Sequence, residues 1–294
     1  MEIDAIITYV DGTDPVWIKD YHDHVSEKPL GKRYRDWGFL KYLLRGIATH
    51  MPFIRKVYLV VSSDSQVPSW VNRDTVGIVC HRDIIPEQYL PTFNSSMIEM
   101  FLHRIAGLSE HFVYFNDDMF PVNDFTEGDF FTDGIPTMGI TRHLLSASAF
   151  MRLVRRSDTL ARKALGMRKG LFYLRPRHVC SPMLKSECDR LYDAVYPEII
   201  ASLSPLRAEN NYNQYLFLDY MYYGGKLINK PLTRKHFSLA VASMGKITDA
   251  ITHPDCKIIC INDVEMSEQA FHDKQATIVQ AFESRYPGNS RFEK

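Results

Sequence analysis

Short, nearly continuous β-branched runs that stop at acid-bearing turns are the feature that most limits what this chain can become. Ile3 to Val10, Val57 to Ser62, Val76 to Cys80 and Phe112 to Asn116 have the composition of strands covered on both faces. Segments of helical periodicity separate them. That alternation predicts an α/β fold, Rossmann-like, with a mostly parallel sheet flanked by helices. In such sheets ligands bind beyond the carboxyl ends of the strands. The first run delivers Tyr9, Asp11 and Gly12 to that edge, and the fourth ends in Asn116-Asp117-Asp118. A fifth strand, Lys257 to Ile261, is expected in the same sheet and ends in Asn262-Asp263.

Leu90 to Asp118 organises the middle of the chain. Asn94 or Ser95 can cap a helix there, and Ile98, Phe101, Leu102 and Ile105 recur at helical spacing before Gly107. The expectation is one helix with Glu99 and His103 a turn apart, off its apolar stripe. Asp117-Asp118 can be plain turn chemistry, but adjacent carboxylates repel, which equally favours a cation or a function. A second helix is expected from Arg33 through His50, with Leu40, Leu43, Leu44 and Ile47 as its core stripe and Asp36 in its first turn. Arg33 and Arg35 at such an N-terminus would suit phosphate, or be merely solvated. Phe120 to Phe131 reads as a short helix and a turn. Asn213 to Tyr223 reads as a tyrosine-rich core helix, and Ser267 to Ser284 as a terminal amphipathic one.

Composition excludes some functions. Lys and Arg (35) balance Asp and Glu (35), which argues against wholesale nucleic-acid binding. Charge is nevertheless segregated, because Arg142 to Lys185 holds eleven basic residues and one acid, Asp158. This basic, largely helical insertion (about 142–235) could gather phosphates or an anionic polymer, touch a membrane peripherally, or be a solvated face. No apolar run reaches membrane-spanning length, and Met1 to Gly12 lacks the basic start of a signal peptide. Five cysteines without a CxxC pair fit a reduced cytoplasmic compartment. His253, Cys256 and Cys260 could be metal ligands, or the cysteines simply small apolar residues beside a strand.

LPTFNSSMIE followed by LHRIAGLSEHFVYFNDDMF resembles the second conserved region of the Stealth family. That family includes bacterial capsular and exopolysaccharide sugar-phosphate transferases and the animal lysosomal-enzyme N-acetylglucosamine-1-phosphotransferase. Tyr9-Val10-Asp11-Gly12 with Trp17 is similar to its first region, His178 with Pro182 to its third, and KIICIND to its fourth. An arginine, an acid and a helix ending in Arg45-Gly46-Ile47 also match; Leu206-Arg207 stands where phenylalanine-arginine is common. The matches run from Ile3 to about Met266, which suggests one catalytic domain over 1–294 with a helical sub-region.

The resemblance implies attack by a glycan hydroxyl on the β-phosphorus of a nucleotide-sugar, releasing nucleoside monophosphate and leaving a sugar-1-phosphate on the acceptor. Glu99, Asp117, Asp118, His178 and Arg207 carry over as catalytic positions. The acids, Asp117 and Asp118 above all, would hold Mg²⁺ or Mn²⁺. His178 or an aspartate would be the base and Arg207 a phosphate clamp. Tyr9, Asp11, Gly12, Arg33, Arg35, Asn94, Lys185, Asn262 and Asp263 are candidate substrate contacts. A UDP-sugar donor and a glycan or lipid-linked glycan acceptor are expected, at the inner face of a bacterial membrane. The alternatives are a metal-dependent glycosyltransferase releasing nucleoside diphosphate and a non-catalytic polysaccharide-assembly protein.

Overall fold

The structure is a computed structural model that describes all 294 residues, Met1–Lys294. Its strands are β1 (Ile3–Thr8), β2 (Ile54–Val61), β3 (Val76–Cys80), β4 (His111–Asn116), β5 (Met119–Pro121), β6 (Phe131–Thr132), β7 (Ile135–Met138), β8 (Ile140–His143), β9 (Tyr173–Pro176), β10 (Ser181–Leu184), β11 (Ile228–Asn229), β12 (Arg234–Ser238) and β13 (Ile258–Asn262). Its α-helices are α1 (Pro15–His24), α2 (Gly31–Tyr34), α3 (Leu40–His50), α4 (His81–Ile84), α5 (Ser95–Glu99), α6 (Ala149–Ala164), α7 (Lys185–Ala194), α8 (Tyr196–Ser202), α9 (Tyr215–Tyr223), α10 (Met244–Thr252) and α11 (Glu268–Arg285).

The architecture is mixed α/β, with a parallel-rich central sheet and flanking helices, as the alternation of runs predicts. The central sheet has the order β10-β4-β1-β2-β3. The expected strand at Lys257–Ile261 forms one residue later, but not in this sheet. It is β13, paired parallel with β12 and antiparallel with β5 in a separate three-stranded sheet. Chain contacts divide the molecule into two compact units. The first comprises Met1–Ile6, Val79–Tyr114 and Glu127–Pro231, the second Ile7–Ile78, Phe115–Thr126 and Leu232–Lys294.

In the first unit β10 lies antiparallel on β4, with Pro182 opposite Val113. β10 is an edge strand, where a missing N–H is tolerated. The basic segment forms α6, a sixteen-residue helix capped by Ser148 and packed on α9 and β9. α9 is buried from Tyr215 to Met221, as a core helix should be. The helix expected from Ser95 to Gly107 does not run through. α5 stops at Glu99 and a 3₁₀ turn follows at Leu102–Arg104. Ser96 through His103 are all buried, so Glu99 and His103 are not off an apolar face. Tertiary packing on every side, rather than one stripe, sets the backbone there.

In the second unit the helix expected from Arg33 begins only at Leu40, with Phe39 as its N-cap. Arg33 ends up exposed in the four-residue α2, and Arg35 is that helix's C-cap. The interruption has a local cause. Asp36 accepts the Gly38 N–H at 2.8 Å, and the backbone at Gly38 is left-handed (φ 68°). Phe120–Phe131 starts as β5 instead of a helix and reaches only a 3₁₀ turn at Glu127–Asp129. Behind β5, Tyr42 of α3 stacks on Phe282 of α11, their ring centres 4.9 Å apart. Ile278 and Phe282 supply the buried side of α11.

Arg45, in the Arg-Gly-Ile string, has a structural role. Its buried guanidinium makes a fork on Glu293, Nε to Oε1 at 2.9 Å and Nη2 to Oε2 at 2.8 Å. Nη1 adds the Tyr286 carbonyl at 2.9 Å, fastening the C-terminal segment to α3. No helix is long and apolar enough to cross a membrane. All five cysteines are buried, and none forms a disulfide.

A lysine at position 45 keeps the charge but not the planar fork. Arg45→Lys should therefore cost about 1–3 kcal/mol, since several buried hydrogen bonds are lost. Thermal denaturation should show a Tm several degrees lower. An unchanged Tm would mean that the C-terminal segment is held by something else.

Candidate active site

The first unit gathers one cluster from the predicted residues. Asn94 caps α5, its side-chain oxygen accepting the Ser96 N–H at 3.1 Å. Its amide group donates to the Ser204 and Leu206 carbonyls (3.0 and 3.2 Å) and to Asn211 Oδ1 (2.9 Å). Asn94 is fully buried. It therefore positions the loop 204–211. Arg207 on that loop donates to Ser95 Oγ at the start of α5.

Glu99 closes the same helix. Its buried carboxylate accepts the Gln214 N–H at 2.9 Å and the Tyr114 hydroxyl at 3.4 Å. Burial pushes its pKa up. The Gln214 N–H, the Arg207 charge, the His178 charge and the Tyr114 hydroxyl draw it back down, in that order. Arg207 and His178 thus both act electrostatically on Glu99 within one unit. His178 lies in the turn between β9 and β10, and Arg207 in the loop before α9. Lys185, the first residue of α7, belongs elsewhere: its charge acts on buried His103 and on Asp189.

The second unit holds the other set. Tyr9, buried just beyond β1, hydrogen-bonds Asp36. Burial raises its phenol well above the usual range, with Asp36, Asp11 and Asp117 adding to the effect. Asp36, which sequence reasoning left as a helix cap, is itself pushed up by desolvation. Gln66, also missed, clamps the turn: its Oε1 accepts the Asp11 N–H at 2.7 Å and its Nε2 donates to the Asp11 carbonyl at 2.9 Å. The Asp11 carboxylate accepts the Thr13 N–H (2.8 Å) and hydroxyl (2.6 Å). Gly12 donates its N–H to the Tyr34 carbonyl at 2.7 Å, and a Cβ there would stand 2.4 Å from that oxygen. Glycine is thus needed for the close approach of two backbones.

A cavity of about 810 Å³ opens beside this turn, lined by Tyr9, Asp11, Asp36, Gln66, Trp37 and Trp70 among others. At the end of β4, Asp117 is exposed and Asp118 half-buried. Asp118 accepts the Cys260 thiol at 3.1 Å, and burial raises that thiol strongly, so it stays protonated. A protonated thiol does not suit a hard cation. The oxygens do: the carboxylates of Asp117 and Asp118 follow Asn116, whose side-chain oxygen is buried without a hydrogen-bond partner. Asp263 is held by Arg35, Nη1 to Oδ1 3.6 Å, and burial raises its pKa against the pull of Trp37 and Arg35. Arg35 also lies over the Phe271 ring. Asn262 donates to the Asp263 carbonyl at 3.1 Å. Arg33 joins none of these contacts.

Comparison with known proteins supplies what geometry does not. The family model for Stealth protein CR2, conserved region 2, matches residues 33–138. An exopolysaccharide phosphotransferase, cps2G, of Lactiplantibacillus plantarum is 30% identical over 100% of this chain and 96% of its own length. The chain belongs to the Stealth family. A receptor polysaccharide phosphotransferase, WefC, of Streptococcus gordonii is 32% identical over 99% of both chains. A capsular polysaccharide phosphotransferase, WcwK, of Streptococcus pneumoniae is 32% identical over 90% of this chain and 91% of its own. Among solved structures, a complex of galactosyltransferase LgtC with donor and acceptor sugar analogues aligns over 96% of this chain and 95% of its own, with TM-score 0.47 and 10% identity. The Stealth match spans both Asn94 and the Asp117-Asp118 turn; His178, Arg207 and Asp263 lie outside the matched residues.

Glu99 gives a test that separates stability from chemistry. Its folded pKa is raised above the ordinary 4.5, so the unfolded chain ionises first as pH rises. Its contribution to stability is therefore fully present below that value and lost as pH climbs through the folded one. Glu99→Gln should melt higher than the parent at pH 8, with the gap closing towards pH 4.5, while its activity falls. Equal melting at both pH values would show the carboxylate to be unstrained.

Proposed function

We propose that this chain transfers a sugar-1-phosphate, of a hexose or N-acetylhexosamine, from a nucleotide-sugar to a hydroxyl of a glycan or lipid-linked glycan acceptor in polysaccharide synthesis. The observation that carries this reading is full-length similarity, near 30% identity, to polysaccharide phosphotransferases of the Stealth family. The geometry of each unit supports a part of it. In the second unit Trp37, Trp70, Gln66 and Asp11 line the cavity that would take the nucleotide. Uracil is the base proposed. Asp117 and Asp118, with the Asn116 oxygen, would hold Mg²⁺ or Mn²⁺, which when bound would neutralise charge on the donor diphosphate.

In the first unit His178 is assigned as the base for the acceptor hydroxyl. Glu99 would stabilise the imidazolium that results, and Arg207 would hold phosphoryl oxygens. The acceptor oxygen bonds to the β-phosphorus as the phosphoanhydride bond to the α-phosphate breaks. The bridging oxygen leaves with the nucleoside monophosphate, and the hydroxyl proton passes to His178. Positioning and fixed charge do most of this work, as phosphoryl transfer requires.

Product analysis tests the reaction. Purified protein with a UDP-sugar panel, acceptor glycan and Mg²⁺ or Mn²⁺ should release uridine monophosphate, and excess chelator should stop turnover. Release of uridine diphosphate would replace this reading with ordinary glycosyl transfer. No turnover with any donor would favour a non-catalytic assembly role.

Substitution tests the assignment. Arg207→Lys should lose at least tenfold in kcat/KM, because a point charge does not reproduce the guanidinium fork. His178→Ala should lower kcat by about 10²–10⁴-fold, as loss of a general base does, with donor binding unchanged in calorimetry. Near-normal turnover of His178→Ala would remove it from the mechanism.

A further inference from the structure

The structure carries, in the first unit, an exposed apolar tip beside a cationic cavity. The antiparallel pair β8–β9 ends at His143 opposite Tyr173. The chain beyond that pair carries Leu144 and Leu145 on one side and Phe172 and Leu171 on the other. These four are 42%, 76%, 49% and 68% exposed. Single exposed apolar residues are ordinary; four large ones at one tip are not. Residues on both flanks of this tip, Ser146 and Lys169, line a cavity of about 470 Å³. Arg152, Arg155, Arg156 and Lys163 of α6 also line it, and Glu198 is the one acid in its wall. Arg152 pairs with Glu209 and Lys163 with Glu198, but both pairs are at the surface and weakly held. Arg156 lies over the Tyr212 ring and Arg155 over Tyr173, so two guanidinium planes are pre-set.

We propose that this tip and cavity dock on a bilayer rich in anionic phospholipid, the leucines and Phe172 entering the interface and the cations taking lipid phosphates. Charge decides the occupant. A second copy meeting this face symmetrically would set cations against cations. A soluble anionic polymer would leave the apolar tip in water. A membrane surface satisfies both halves, and basic residues flanking apolar ones are what interfacial binding uses. The inference does not depend on the phosphotransfer reading.

Flotation of the full chain with vesicles tests it. With equal parts phosphatidylglycerol and phosphatidylcholine the protein should float, less so as salt rises. With phosphatidylcholine alone it should stay behind. Leu145→Asp with Leu171→Asp should abolish flotation. Arg156→Gln with Lys169→Gln should weaken it by roughly five-fold for each cation lost. All four positions are at the surface, so far-UV circular dichroism and Tm should match the parent. Retained flotation of either double variant would overturn the proposal. So would equal flotation on both vesicle types, or capture by a soluble anionic polysaccharide without any by vesicles.

Discussion

The hydrogen bonds of the Asn94 side chain are the constraint on which the first unit's chemistry depends. An amide that is fully buried must satisfy both its oxygen and its two N–H groups, or leave polar atoms stranded at a cost of about 1–3 kcal/mol each. Asn94 satisfies them across more than a hundred residues of sequence, reaching Ser204, Leu206 and Asn211. That fixes the loop of Arg207 against the first turn of α5. The last residue of the same five-residue helix is Glu99, held by the Gln214 N–H just beyond that loop. One short helix thus carries the positioning amide at its front and the strained carboxylate at its back. Desolvating Glu99 is unfavourable on its own. The neighbouring charges of Arg207 and His178 offset part of that, which is why the acid is tolerable where it stands.

The second unit solves a different problem, that of holding acids at strand ends. Asp11 is fixed by backbone geometry: the Gln66 clamp and the contact of Gly12 with Tyr34 leave the turn little freedom. Asp118 is steadied by a thiol that burial keeps protonated, so Cys260 acts as donor. Tyr9 hydrogen-bonds Asp36 rather than ionising beside three carboxylates. Asp11, Asp36 and Asp118 each have a neutral partner, and Asp263 has Arg35. Oxygen donors arranged in this way suit a hard divalent ion.

Much of this was legible in the sequence, because strands announce themselves through composition. β1, β2, β3, β4 and β13 fall within a few residues of the runs that predict them, and the acids do follow their ends. What was not legible came from tertiary packing. Nothing in the periodicity of Ile98, Phe101, Leu102 and Ile105 says that the intervening residues are buried too, so one helix was expected where a short helix and a 3₁₀ turn stand. Nothing local distinguishes a β13 in the main sheet from one that pairs with β12 and β5. The long-range partners of Asn94 are invisible in a single sequence. Gln66 and Asp36 were passed over for the same reason. The Asp36-x-Gly38 spacing was the one available signal, since an Asx turn there forbids the helix that was drawn through it.

The net charge of zero conceals how the charges are arranged. With eleven cations against one acid between Arg142 and Lys185, the rest of the chain must carry the balancing excess of acid. The acids concentrate where a cation and a diphosphate are proposed, and the cations on a helix whose buried side is held by Asp158, Arg162 and Tyr223. Asp158 shows how that helix stays put: it takes the Leu174 N–H at 2.9 Å and Arg162 Nε at 3.0 Å, tying α6 to β9 from inside. Only the outward cations remain to meet an anionic partner. A neutral protein built in this way presents two local fields of opposite sign, and fields of that kind set where a charged ligand arrives.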